Sequence, residues 1–218
     1  MYTPADFKQE DRAAALEVIE KEPFGTLITT QDGLPAVTHL PFSIVTNADK
    51  VVLCAHMAAA NPQWRTLSGS RALAIFRGPH GYVSPRWYAD PAHDVPTWNY
   101  IAVHCTGVAR IAPEEDKAPI LSRLVSEMES GAAQPWTVAS MEQSYFERLK
   151  GGIVAFYLDV EKIEAKFKLS QNRAPEDRNG AIDGLRASGD PQDRRLASEM
   201  ERYAPTPYAG CRSPREAG

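Results

Sequence analysis

The chain has 218 residues, 43% of them hydrophobic and 24% charged, with a formal net charge of -4 and a sequence pI of about 5.8. Those values suit one globular domain, with or without a tail. The acidic balance works against non-specific nucleic-acid binding, whose affinity comes from phosphate neutralisation by Lys and Arg. No apolar run approaches the roughly 20 residues that span a bilayer, and the start MYTPADFKQEDR lacks the basic-then-apolar pattern of a secretory signal. Cys54, Cys105 and Cys211 are scattered singly, which predicts reduced thiols in a cytoplasmic protein.

Asp11 reads as the N-cap of a first helix over roughly Arg12 to Lys21, ended by Pro23. Gly25 to Thr30 is strand-like, and the Asp32-Gly33 turn after it is a hairpin signal. Ala36 to Val45 reads as the partner strand, with Pro41 implying an edge or a bulge. A turn at Asn47-Ala48-Asp49 leads to a third strand, Val51 to His56. Asn61-Pro62 then looks like a cap followed by proline at the first helical position, opening a short helix to Leu67.

Ala72 to Arg77 reads as a fourth strand, followed by about twenty residues dense in Pro, Gly and aromatics that predict an ordered loop. Trp98 to Ile111 is a long strand with a bend or bulge at Gly107. Helices are expected over Pro113 to Glu129 and Met141 to Lys150, and a last strand or strand pair over Ile153 to Phe167. Residues 1–172 thus form one domain. Residues 173–218 read as a polar tail with a helix near 191–203 and a mobile terminus over the last fifteen residues. About six strands in short meanders with peripheral helices predict a mainly β fold, a small antiparallel barrel. The β-α-β-α order of a parallel nucleotide-binding sheet is absent.

The sequence holds no G-x-G-x-x-G after a strand, no P-loop, no H-E-x-x-H and no G-x-S-x-G. His39, His56 and His104 fall on predicted strands without regularly placed carboxylates, so no metal site is predicted. Three segments could hold a ligand. His56 to Trp64 (HMAAANPQW) combines small residues with a helix start, which could present backbone N–H groups to a phosphate or could be an ordinary strand-to-helix loop. Gly78 to Tyr100 carries His80, Tyr82, Trp87, Tyr88, His93, Trp98 and Tyr100 among prolines. Its two tryptophans must pack on core, partner or ligand. Lys166 to Arg173 (KFKLSQNR) places several donors at the end of the last strand.

Five pieces in order from Met1 to Arg173, MYTPADF, HMAAANPQW, GPHGYVSPRWY, VPTWNYIAVHCTG and GGIVAFYLDVEKIEAKFKLSQNR, resemble the PaiB-type FMN-binding negative transcriptional regulator family. The resemblance implies an FMN-binding split β-barrel, six-stranded, antiparallel and of Greek-key type with peripheral helices, similar to the pyridoxamine-phosphate oxidase superfamily. It implies a homodimer that holds the flavin nucleotide in clefts built from both subunits. His56, Met57, Asn61 and Trp64 would lie near phosphate and ring, and Lys168, Ser170, Gln171 and Asn172 would approach from the other subunit. Where the superfamily's oxidases use Arg and Lys for the phosphate, this sequence carries His39, His56 and Asn61, with Arg65 nearby. His80, Arg86, Tyr88 and Trp98 are the candidates for substrate contact.

No residue is an obvious general acid or base, which leaves FMN-dependent oxidoreductase activity open, since a flavin carries its own chemistry. The family label implies gene regulation, but no helix-turn-helix or basic stripe supports direct DNA binding. Two other readings stay open: a regulator acting through DNA or a protein partner without flavin chemistry, and a haem-binding split barrel with a histidine ligand.

Overall fold

The computed structural model describes residues 1–47 and 50–204. The Asn47–Asp49 turn beyond its first residue, Cys211 and the terminus after Ala204 lie outside them. In chain order the elements are β1 (Lys8–Gln9), α1 (Arg12–Lys21), β2 (Phe24–Gln31), β3 (Leu34–Pro41), β4 (Ser43–Asn47), β5 (Lys50–Ala58), β6 (Arg71–Val83), β7 (Thr97–Ile111), α2 (Lys117–Glu129), α3 (Gln143–Gly151), β8 (Ile153–Lys168), α4 (Pro175–Arg186) and α5 (Pro191–Arg202). One eight-stranded sheet has the order β3-β2-β6-β7-β8-β5-β4, with β1 paired to β8. The recorded pairings, β2 with β3 and β6, β4 with β5, and β8 with β1 and β5, are all antiparallel. No helix among the described residues is long and apolar enough to cross a membrane.

The strand count exceeds the six expected for two local reasons. Phe42 is buried and its N–H donates to the Pro23 carbonyl, so the chain leaves the ladder at Pro41 and one expected strand becomes β3 and β4. The second addition, β1, is two residues long and too short to show a period. The fourth strand also runs past Arg77 to Val83, taking in the first six residues of the expected aromatic loop. Gly78, the first residue of that expected loop, lies in the strand and is there for packing: a Cβ on it would stand 3.0 Å from Ile101 Cβ.

The chain divides into two compact units, and the divisions fall inside β6, β7 and β8. One unit comprises Asp11–Phe76 and Val103–Glu164. Asp11 caps α1 by accepting the Ala13 N–H at 2.9 Å, and the Asp32-Gly33 turn closes β2 on β3 with φ of 52° and 78°. The core of this unit centres on Phe42, edge-on to both Phe76 and Phe156 at centroid distances of 5.4 and 6.2 Å. Each such pair adds about 0.5–1.5 kcal/mol beyond area burial. Cys54 and Cys105 are free and buried; loss of hydration raises their thiol pKa values to about 11 and about 12.

The other unit comprises Met1–Glu10, Arg77–Ala102 and the described residues from Ala165 on. Here residues 173–204 form two helices rather than one. The Trp87 indole packs on α4, where a Cβ at Gly184 would meet the ring at 2.3 Å and one at Gly180 would meet the Trp87 carbonyl at 2.0 Å. Ala181, Ile182 and Leu185 of α4 and Leu196, Ala197 and Met200 of α5 are buried. Tyr88 is also buried, with the Arg173 guanidinium 4.7 Å above its ring and Arg173 paired to Asp94 at 2.5 Å.

Gly107 is neither a turn nor a free bend. Its position in β7 allows β8 to approach so closely that a Cβ would stand 2.1 Å from the Asp159 carbonyl oxygen. Gly107→Ala is therefore expected to cost about 3 kcal/mol or more, read as a lower urea midpoint. Gly131→Ala, with nothing within 4 Å of the added carbon, should stay within about 0.5 kcal/mol.

Candidate flavin site

The first ligand segment begins at His56 on β5, whose alternate residues Val51, Leu53, Ala55 and Met57 are all buried. His56 is on the other face, half-buried, and its Nδ1 is buried without a hydrogen-bond partner. Loss of hydration lowers its pKa. After β5 come the three small residues Ala58, Ala59 and Ala60, and then a 3-10 helix over Pro62–Thr66. The Ala59 N–H donates to Gly152, the Asn61 N–H to Ala58 and the Gln63 N–H to the Asn61 side chain, so these amides are used within the unit. The Trp64 indole N–H donates to the Ala59 carbonyl at 2.8 Å and ties the run to the helix. Arg65 is exposed, its guanidinium 5.8 Å from the Trp64 ring centroid.

Gln63, a residue the sequence pattern does not mark, holds this loop in place. It is 3% exposed. Its Nε2 donates to Thr29 Oγ1 and to the Ala36 carbonyl, both at 3.0 Å, and its Oε1 accepts from Thr38 Oγ1. Thr38 in turn accepts from Asn61 Nδ2 at 2.9 Å. One buried amide thus joins the loop to β2 and β3 with every polar atom satisfied. Asn61 spends both ends of its side chain here. His39 does not join the group. It follows Thr38 on β3 and therefore points to the opposite face, exposed, with Nδ1 3.0 Å from Thr26 Oγ1 and its ring near Phe24.

The second segment closes β8 in the other unit. Lys168 is half-buried and donates to Thr97 Oγ1 and to the Trp98 carbonyl. Burial, then the charges of Lys166 and Arg173, lower its pKa. Ser170, at φ 62°, accepts from the buried Asn99, and Gln171 bonds back to the Phe167 carbonyl and the Leu169 N–H. Asn172 is exposed. Of the substrate-contact candidates, His80 lies beside Trp98 with ring centroids 6.4 Å apart, and Arg86 is stacked on Trp87. Trp98 remains 55% exposed rather than packed away, whereas Tyr88 is buried under Arg173. Among the described residues no group of three or more His, Cys, Asp or Glu side chains could hold a metal ion.

The architecture is that of the split-barrel flavoproteins. It aligns with the FAD- and haem-binding protein of Mycobacterium smegmatis at a TM-score of 0.58 and 18% identity over 78% of each chain. It also aligns with the flavocytochrome Anf3 of Azotobacter vinelandii at 0.54 and 18% over 74% of this chain and 69% of that one. Residues 1–162 match the family described as "Putative FMN-binding domain", and the chain belongs to that family. It is 35% identical over 202 residues to the Bacillus subtilis protease synthase and sporulation protein PAI 2, covering 92% of this chain and 97% of the relative. The family is described as FMN-binding, and the His56 Nδ1, buried without a partner, is a ring nitrogen chemically suited to a polar-edged cofactor.

Two outcomes follow. Gln63→Leu removes the acceptor of the Thr38 O–H and the donor to Thr29 Oγ1 and the Ala36 carbonyl, and should cost about 3 kcal/mol, measured by urea unfolding. The lowered His56 pKa means that the unfolded chain binds this proton at higher pH than the folded one. Its contribution to stability is therefore intact above about 6.5, the ordinary histidine value, and is lost as pH falls towards the lowered value. His56→Gln should flatten the unfolding midpoint across that interval relative to the natural chain.

Proposed function

We propose that this chain binds FMN as a homodimer in the cytoplasm, with His56 and Arg65 of one copy and Lys168 and Asn172 of the other contacting the cofactor. The observation that carries the reading is the buried His56 Nδ1 without a partner, beside three small residues that leave room for a ligand. His56 is neutral at pH 7, so its ring can donate or accept one hydrogen bond to a flavin heteroatom. Arg65 and Lys168 supply positive charge for a phosphate. Bound flavin supplies electron transfer; the residues here bind and orient it. Ser170 and Gln171 set the end of β8 rather than touch the cofactor, since Ser170 accepts from Asn99 of β7 and Gln171 bonds to the backbone of Phe167 and Leu169.

The dimer is supported by an open sheet face. Val37, Ile28 and Leu73 lie in register across β3, β2 and β6, next to His39, Thr26 and Ile75, with Phe24 at the end. Phe24 and Val37 are 69% and 53% exposed. A continuous apolar row of this kind on a sheet is an association surface. The regulatory role that accompanies the family is read as indirect, through a small molecule or a protein partner, because the acidic chain offers little for phosphate neutralisation along DNA.

FMN titration followed by flavin fluorescence tests the contacts. His56→Leu and Lys168→Met should each weaken FMN by about tenfold, equivalent to 1.4 kcal/mol, and Arg65→Ala should weaken FMN more than riboflavin. Equal affinities in all variants would overturn the assignment. In light scattering, Phe24→Asp with Val37→Asp should turn a dimer into a monomer, and a natural chain that is already monomeric would contradict the shared cleft.

A further inference from the structure

A cleft of about 640 Å³ opens within the unit that holds the aromatic loop, between the end of β6, Trp98 and the start of α5. One wall is aromatic. Trp98 is 55% exposed, with His80 at 29° to it and Tyr82 edge-on at 6.2 Å. Exposing that much indole and phenol together disfavours the free state unless a ring covers them. The other wall carries hydrogen-bond acceptors. Gln192 Oε1 is buried without a partner. The Asp193 carboxylate is half-buried and has no hydrogen-bond or ion-pair partner among the described residues. A Cβ at Gly81 would come within 2.7 Å of Asp193 Oδ1, so the glycine is what lets the carboxylate sit against the strand. Asp190 is different: it accepts the Gln192 N–H at 2.8 Å and is used as the cap of α5.

Two acceptors with no donor from the protein suit a ligand that brings N–H groups. Arg86, the cation on the lining, is exposed and stacked on Trp87, so it lies at the rim. We propose that this cleft is a binding site for small aromatic amines, the ring lying on Trp98 and the ammonium group donating to Asp193 and Gln192. An aromatic face and a carboxylate together are how a cation with a flat apolar body is recognised. The site stands on residues of one unit and does not depend on the flavin reading. It places the ligand against the C-terminal helices, beyond the residues matched by the FMN-binding family.

The test compares two probes with the same ring and opposite charge, tryptamine and indole-3-acetate, by calorimetric titration of the full chain at pH 7. Tryptamine should bind saturably and about tenfold or more tighter than indole-3-acetate. Trp98→Ala and Asp193→Asn should each weaken tryptamine about tenfold, and Gln192→Leu should weaken it less. Circular dichroism of each variant checks that the fold is kept, and an FMN titration of Asp193→Asn should match the natural chain. Equal or tighter binding of indole-3-acetate, absence of saturable tryptamine binding, or indifference to both Trp98→Ala and Asp193→Asn would overturn the proposal.

Discussion

Gln63 is the side chain on which the first half of the candidate flavin site depends. A buried amide is costly unless each of its polar atoms is answered, and here Thr29, the Ala36 carbonyl and Thr38 answer all of them. That requirement permits one placement of the 3-10 helix against β2 and β3. The placement sets Asn61 and Trp64, which brace the alanine run following His56. His56 is then left with a ring nitrogen that the protein does not use. The candidate cofactor side of this unit is thus held by a network whose hydrogen bonds are all made within the protein.

The second unit is organised by a different constraint, the fit of Trp87 onto α4. Gly180 and Gly184 are spaced one helical turn apart, and both are required by that ring and its backbone. The two glycines weaken α4 as an isolated helix and strengthen it as a packed one. With Tyr88 buried and Trp87 packed on α4, Trp98 and Tyr82 are the exposed large aromatics that face the cleft. A Pro-rich loop that looks uniform along the chain is therefore two things: a packing device at Trp87–Tyr88 and a surface at His80, Tyr82 and Trp98.

Much of the fold was legible because its signals are local. Asp11 and Asn61 cap the helices they precede, Asp32-Gly33 makes its turn, and Asp190-Pro191 opens α5. The family resemblance was carried by long Trp- and Pro-rich motifs, and the family match covers 1–162 of the same stretch. What stayed hidden depends on contacts distant in sequence. α4 was unreadable because its glycines answer to Trp87, more than ninety positions earlier. The role of Gln63 was unreadable because its partners come from β2 and β3. His39 shares candidacy for the phosphate with Asn61 in the sequence pattern, yet the two-residue period of β3 sends it to the opposite face from Thr38.

The most direct measurement is the visible spectrum of the purified full-length protein before and after addition of FMN and removal of the excess. The account predicts the two bands of oxidised flavin, retained at one FMN per chain. A protein that stays colourless after FMN is supplied, or one that shows a Soret band and no flavin bands, would contradict it.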